Sequence, residues 1–125
     1  MVNYPVGDFL IRIKNAAIAG RREFDMESSK FVYEVAKALK RGGFLEDVKS
    51  DKGRLTVRLS YHKKEPLIID IKIISKPGMR VYAGKREIEK KKGASVYILS
   101  TPKGVISSKE ALKAGLGGEL LAEVW

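Results

Sequence analysis

The apolar positions of this chain keep a helical period at first and then switch to the period of strands. Val6, Phe9, Leu10, Ile13 and Ala17 fall at i, i+3, i+4, i+7 and i+11, a single stripe on a helix. Asp8, Arg12 and Asn15 take the other side. This predicts a helix from about Pro5 to Ala19, capped by Asn3 and stopped by Gly20. Proline is tolerated in its first turn. Arg22–Met26 alternates weakly, as a short strand does. Ser28-Ser29 offers a cap for a second helix, Lys30 to Arg41. Its buried stripe is Val32, Val35, Ala36 and Leu39, and Gly42-Gly43 terminates it.

From Phe44 onward the period is two. Phe44–Lys49 and Arg54–Tyr61 read as a hairpin across Ser50–Gly53. Leu67, Ile69, Ile71 and Ile73 alternate and predict a long strand, with Ile68 and Ile74 making it apolar on both faces near its ends. Lys76-Pro77-Gly78 signals a turn. Arg80–Ala83 and Ser95–Ser100 read as strands, with a short helical turn at Glu87–Lys91 between them. Thr101–Gly104 is a tight turn. Ser107 and Glu110 stand at capping-box spacing, where hydroxyl and carboxylate satisfy each other's backbone N–H groups. A short helix from there ends at Gly115, and Glu119–Trp125 closes the chain as a strand. The expected class is α+β in two small lobes. Residues 1–70 form an αβαββ lobe, a small sheet backed by two helices. Residues 71–125 form a mostly β lobe with a short helix.

Composition narrows the function. With 44% hydrophobic residues in 125, the chain can build a core. Its 25 Lys and Arg against 15 Asp and Glu give a net charge of +10, which favours polyanionic partners. Residues 63–92 hold 10 basic and 4 acidic side chains, so the surplus of the second half lies there. The absence of Cys excludes a disulfide framework, a zinc ribbon and a thiol nucleophile. The single His62, beside Lys63-Lys64, has no second group with which to act as base or metal ligand. The carboxylate pairs Glu46-Asp47 and Glu87/Glu89 read as solvated surface rather than as an acid and its base. No apolar run approaches the ~18 residues of a membrane span. The opening Met1–Pro5 carries no basic leader before an apolar run, so the expected compartment is the cytoplasm, or one reached without a retained transit peptide. Neither a catalytic group, a metal site nor a cofactor is expected.

Gly115–Gly118 invites a phosphate-loop reading but has the wrong context. A helix precedes it and a strand follows, the reverse of a dinucleotide-binding turn. It reads instead as a helix stop followed by a close approach of backbone to something else. The Lys85-Arg86 pair and the Lys90-Lys91-Lys92 run suit either a solvated face or nucleic acid. Arg80 and Tyr82 nearby favour nucleic acid, because Arg bridges phosphates and a Tyr ring stacks on an unpaired base. Tyr4, Tyr33, Tyr61 and Tyr97 read as half-buried core residues. Ser100 and Thr101, in a turn with Lys103, offer hydroxyls to base edges, sugars and phosphates.

Several of these segments together resemble the family of bacterial small-subunit ribosomal protein eight. They are Ser100–Ser108, Lys113–Leu121, Ile74–Tyr82, Arg12–Ala16, Ser28–Lys30 and Gly43–Glu46. The C-terminal segments are the most specific, and the resemblance covers essentially the whole chain. It implies no enzyme activity. It implies binding to the central domain of small-subunit ribosomal RNA, at an irregular helix with unpaired bases, mostly through the C-terminal lobe. It implies ribosomal protein neighbours and, in some bacteria, binding to the protein's own operon messenger RNA. Neither a membrane nor a small-molecule substrate is implied. The family's hydroxyl-rich loop falls on Ser100, Thr101, Pro102, Lys103 and Gly104. Its Gly-Gly-Glu segment falls on Gly117, Gly118 and Glu119, and its Arg-x-Tyr on Arg80 and Tyr82. Its N-terminal contacts fall on Arg12, Lys14, Asn15, Ser29 and Lys30. Lys85 and Arg86 join the candidates on charge. One position departs from the family: many members carry Ser where this chain has Pro102, which lacks both hydroxyl and N–H. Two rival classes remain from the residues alone. One is an architectural DNA binder acting through charge, and the other is an enzyme using the Gly-rich segment.

Overall fold

Proline opens the first helix because its missing N–H has no partner in a first turn anyway. The computed structural model describes residues 4–91 and 93–125. In it α1 runs Pro5–Ile18 with Tyr4 at the cap position. The expected cap, Asn3, and Lys92 of the lysine run lie outside the described residues. Val6, Phe9, Leu10 and Ile13 are buried, as is Ala16, with Ala17 half-buried beside it. Gly20 turns left-handed at φ +71°, and the Arg21 N–H reaches back to the Ala16 carbonyl at 2.8 Å. The second helix, α2, spans Lys30–Arg41 as its pattern predicts. Ser29 caps it, its hydroxyl accepting from the Val32 N–H at 3.2 Å.

Three antiparallel strands lie in the order β1-β3-β2: β1 Glu23–Glu27, β2 Leu45–Asp51 and β3 Arg54–Leu59. Their buried face, with Met26, Leu45, Val48, Leu55, Val57 and Leu59, joins the apolar stripes of α1 and α2 in one cluster.

The long strand expected over Leu67–Ile74 does not form. The chain first makes a small hairpin, β4 Tyr61–His62 with β5 Glu65–Pro66. Only β6, Ile71–Ile73, is strand beyond it. The N–H groups of Ile69 and Asp70 both donate to the Trp125 carbonyl, at 2.6 and 3.1 Å. Successive N–H groups of an extended strand point to opposite edges, so this convergence breaks the alternation. Ile69 is left 78% exposed while Ile68 is buried.

The second sheet is built around β10, Gly118–Val124. Along one edge it pairs with β6 and with β7, Tyr82–Ala83. Along the other it pairs with β8, Val96–Thr101, which pairs in turn with β9, Gly104–Ser107. The expected helical turn is a helix, α3 Lys85–Lys90, starting two residues early because the Glu87 carboxylate accepts from the Gly84 N–H at 3.3 Å. The capping box forms at α4, Ser108–Ala114: Glu110 N–H to Ser107 Oγ is 3.2 Å, and Ser107 N–H to Glu110 Oε1 is 3.0 Å.

Buried residues of the second sheet belong to two clusters. Ile71, Ile98, Val105, Leu121, Ala122 and Val124 extend the core of α1, α2 and the first sheet. Ala83, Leu99 and Leu120 make a smaller core with Ile88 of α3 and Ala111 of α4. Phe9, Leu39 and Leu121 are fully buried in the larger cluster, and truncating any one to Ala would cost about 3–5 kcal/mol. Arg41 clasps the halves together, donating to the Val105 carbonyl at 2.9 Å and to Glu110 at 3.2 Å.

Candidate nucleic-acid interface

The strand order places three residues, distant in sequence, in one row. Glu119 of β10 stands opposite Tyr82 of β7 and opposite Ser100 of β8. Directly paired residues share a face of a sheet, so the three side chains rise together. Tyr82 is 68% exposed, open to stacking on a flat partner. Glu119 is far less open and is ion-paired with Arg80 at 3.2 Å. The Glu119 carboxylate is thereby neutralised.

A buried serine sets this segment in place. Ser75 is fully buried and accepts from the Val81 N–H at 3.0 Å, which fixes the backbone between Arg80 and Tyr82. Tyr4 donates its hydroxyl to the Ser75 carbonyl at 2.8 Å. The Arg80 guanidinium lies 5.7 Å from the centre of the Tyr4 ring, within cation–π range. Burial raises the Tyr4 pKa, with Glu119 adding to the effect and Arg80 opposing it, so the ring stays a neutral donor. Arg80 also lines a depression with Ser29 and Phe31 at the start of α2. Lys30 therefore stands between two residues of that depression.

The Thr101–Gly104 turn closes the β8–β9 hairpin. The Thr101 hydroxyl donates to the Gly104 carbonyl at 2.8 Å and accepts from the Lys103 N–H at 3.2 Å. It is spent on the turn. The Ser100 hydroxyl makes no hydrogen bond among the described residues, so it remains available to a ligand. Pro102 takes the first corner, where its fixed φ fits, and leaves Lys103 exposed beside it. Gly104 supplies the φ of +109° that a side chain would resist.

The close approach foreseen at the Gly-rich segment is made within the chain itself. A Cβ on Gly117 would stand 2.5 Å from the Ala83 carbonyl oxygen and 2.8 Å from the Gly84 α-carbon. A Cβ on Gly118 would collide with the Ser100 carbonyl oxygen. These glycines let three strands pack, and so hold the row together. Lys85 stands beside this segment, its Nζ 4.0 Å from where a Cβ of Gly115 would be. Arg86 follows it, exposed, in the first turn of α3.

The α1 candidates are not part of the row. Arg12 pairs with Asp8 at 3.0 Å and lines a different depression, with Asp25 and Arg54. Lys14 pairs with Asp70 at 2.9 Å, and its hydrogen bond, aided by the Ile71 N–H, holds that carboxyl below its usual range. Asn15 is exposed on the same helix. The Ser29 hydroxyl is occupied as a cap. Phe31 was overlooked by the pattern reading: it falls off the Val32–Val35 stripe and is 37% exposed, the signal that marks it. Among the described residues there is no cluster of three metal-ligating side chains, and no helix is long and apolar enough to cross a membrane.

An exposed aromatic, a free hydroxyl, a neutralised carboxylate and surrounding cations can together stack on a base, bond its edge or sugar, and meet phosphates. Comparisons with known proteins identify the family. The sequence model of the family described as ribosomal protein S8 matches residues 4–125. The small ribosomal subunit protein uS8 of Geobacter sulfurreducens is 45% identical over 127 aligned positions, covering 97% of this chain and 96% of that protein. The proteins of the same name from Nitratidesulfovibrio vulgaris and Nitratiruptor sp. are 41% and 42% identical, each alignment covering 100% of both chains. The chain therefore belongs to the ribosomal protein S8 family, which is structural rather than enzymatic.

Proposed function

We propose that this protein is a structural constituent of the small ribosomal subunit that binds the central domain of the small-subunit ribosomal RNA at an irregular helix. The observation that carries this reading is the cross-strand row of Tyr82, Glu119 and Ser100. Duplex RNA hides its base edges in a deep, narrow groove, so a sequence-specific binder needs unpaired bases. Tyr82 stacks on one such base. Ser100 bonds its edge or a 2′-hydroxyl, and Glu119, held by Arg80, accepts from a base amino group. Lys103, Lys85, Arg86 and Lys30 supply the salt-sensitive share of affinity through phosphates.

A division of labour follows. Residues 71–125 carry recognition and residues 1–70 carry the fold and secondary backbone contacts, Arg12, Lys14 and Asn15 among them. The protein works in the cytoplasm, in the ribosomal particle, with other small-subunit proteins as neighbours. The same row would take a similar irregular helix in the protein's own operon messenger RNA. Chemical probing of the central-domain RNA tests the reading. Protection should concentrate on unpaired bases of one irregular helix and disappear with a Tyr82→Ala, Ser100→Ala double variant. Uniform protection along paired segments, unchanged in that variant, would overturn it.

A further inference from the structure

We propose that Arg21, Arg22, Lys63 and Lys64 form a second, sequence-indifferent phosphate-binding surface, which takes the sugar–phosphate backbone of another stretch of the same RNA. These residues lie in the first lobe, on elements other than those of the Tyr82–Glu119–Ser100 row.

The four are gathered by the structure rather than scattered over it. The Tyr61 hydroxyl donates to the Arg21 carbonyl at 2.9 Å, and the Leu59 N–H donates to the Arg22 carbonyl at 2.8 Å. The Arg22 guanidinium lies 4.5 Å from the centre of the Tyr61 ring. These contacts dock the loop after α1 against the end of β3 and the start of β4. The β4–β5 hairpin then turns on Lys63 and Lys64, with His62 opposite Glu65.

Both of those lysines are left-handed, at φ +50° and +71°. Two successive residues at positive φ make the mirror-image hairpin turn that Asn-Gly suits best. Lysine suits it poorly, because its Cβ crowds the following carbonyl. The β2–β3 turn has the same need at Lys52 and Gly53, and there the second residue is a glycine. Backbone strain is retained where a function needs the residue. At this tip the feature that lysine adds is its charge.

No carboxylate holds these charges among the described residues. Elsewhere in the first lobe Arg12, Lys14, Arg54 and Arg58 each hold a carboxylate at 3.0, 2.9, 2.7 and 3.2 Å. None of the four residues here is ion-paired among the described residues, and all four are exposed. Glu23 and Glu65 are the neighbouring acids in sequence, so the cluster stays net positive. Long, exposed cations without a carboxylate partner or a positioned hydroxyl suit backbone contact and carry no base readout.

The inference rests on the RNA-binding reading, and its test separates the two. The Lys63→Asn, Lys64→Gly double variant removes two charges while giving the turn its preferred residues, so it should melt no lower than the parent. With the complete central-domain RNA, affinity at 0.1 M salt should fall about tenfold. The slope of log K against log salt should shrink by about two. Preference for the irregular helix over a paired duplex should stay as in the parent. An unchanged affinity and slope would overturn the second surface. If instead Ser100→Ala leaves the preference intact while the lysine variant lowers the slope, the recognition row fails and this surface stands.

Discussion

Gly118 approaches Ser100 so closely that an added Cβ would collide with the Ser100 carbonyl oxygen. That contact locks β10 to β8 where Glu119 and Ser100 face each other. Gly117 makes the matching approach to Ala83 and Gly84 on the β7 side. Gly118→Ala should therefore destabilise the protein by about 2 kcal/mol or more, since the obstructing atoms are backbone. Gly115→Ala meets only the flexible end of Lys85, at 4.0 Å, but must hold a left-handed φ of +69°, at about 1–2 kcal/mol. Urea denaturation of the two variants measures both. Equal stability of Gly118→Ala and the parent would show that the strands are not so tightly joined.

Ser100 and Thr101 are adjacent hydroxyls with opposite assignments. Thr101 is spent on its own turn, so Thr101→Val should cost about 1 kcal/mol of stability. Ser100→Ala should change stability by less than about 0.5 kcal/mol and lower RNA affinity by up to about tenfold. Melting curves and RNA titrations on both variants read the contrast directly. A reversed pattern would place the ligand contact on Thr101.

Pro102 occupies a corner that suits proline, and its neighbours already satisfy the turn. Pro102→Ser should leave RNA affinity within about a factor of ten, one hydrogen bond at most. A much larger gain in a titration would mean that the loop is short of donors as it stands.

Glu110 joins the two halves through α4 and Arg41. Burial pushes its carboxyl pKa up, but the Ser107 N–H and the Arg41 guanidinium outweigh burial and hold it below its ordinary value of 4.5. A carboxyl lowered by folding stabilises the folded state above its unfolded pKa. That stabilisation is lost as pH falls through the folded value. Glu110→Gln should cost about 1 kcal/mol at pH 7, and the difference from the parent should shrink as pH falls below the ordinary value of 4.5. Denaturation at pH 7 and pH 3 checks the sign. A constant difference across that range would show that charge plays no part.

Local signals were strong enough in the sequence to place most elements. The Ser29 cap and the Val32–Leu39 stripe define α2 to the residue, and the Ser107–Glu110 spacing foretells its capping box. The strand over Leu67–Ile74 misled because its alternation is genuine, yet the Trp125 carbonyl captures two successive N–H groups. No pattern in residues 67–74 can announce a partner at position 125. The site was legible in the same uneven way. Arg80, Tyr82, Ser100 and Glu119 could be named from the family resemblance, but their alignment in one row depends on pairings among β7, β10 and β8. The Arg80–Glu119 ion pair and the engagement of Thr101 are equally matters of register and turn geometry. Phe31 escaped because only the folded chain brings it to the same depression as Arg80.

A surface that reads irregular RNA distinguishes it from a paired duplex, and a surface that reads charge alone does not. The direct measurement is a binding titration at two salt concentrations, with the isolated irregular helix of the central domain against a perfectly paired duplex of equal length. Tight binding to the irregular helix is expected, with a preference that persists at the higher salt and shrinks in Ser100→Ala and Tyr82→Ala. Equal binding to both RNAs, vanishing as salt rises, would contradict it and leave a basic protein with a generic affinity for polyanions.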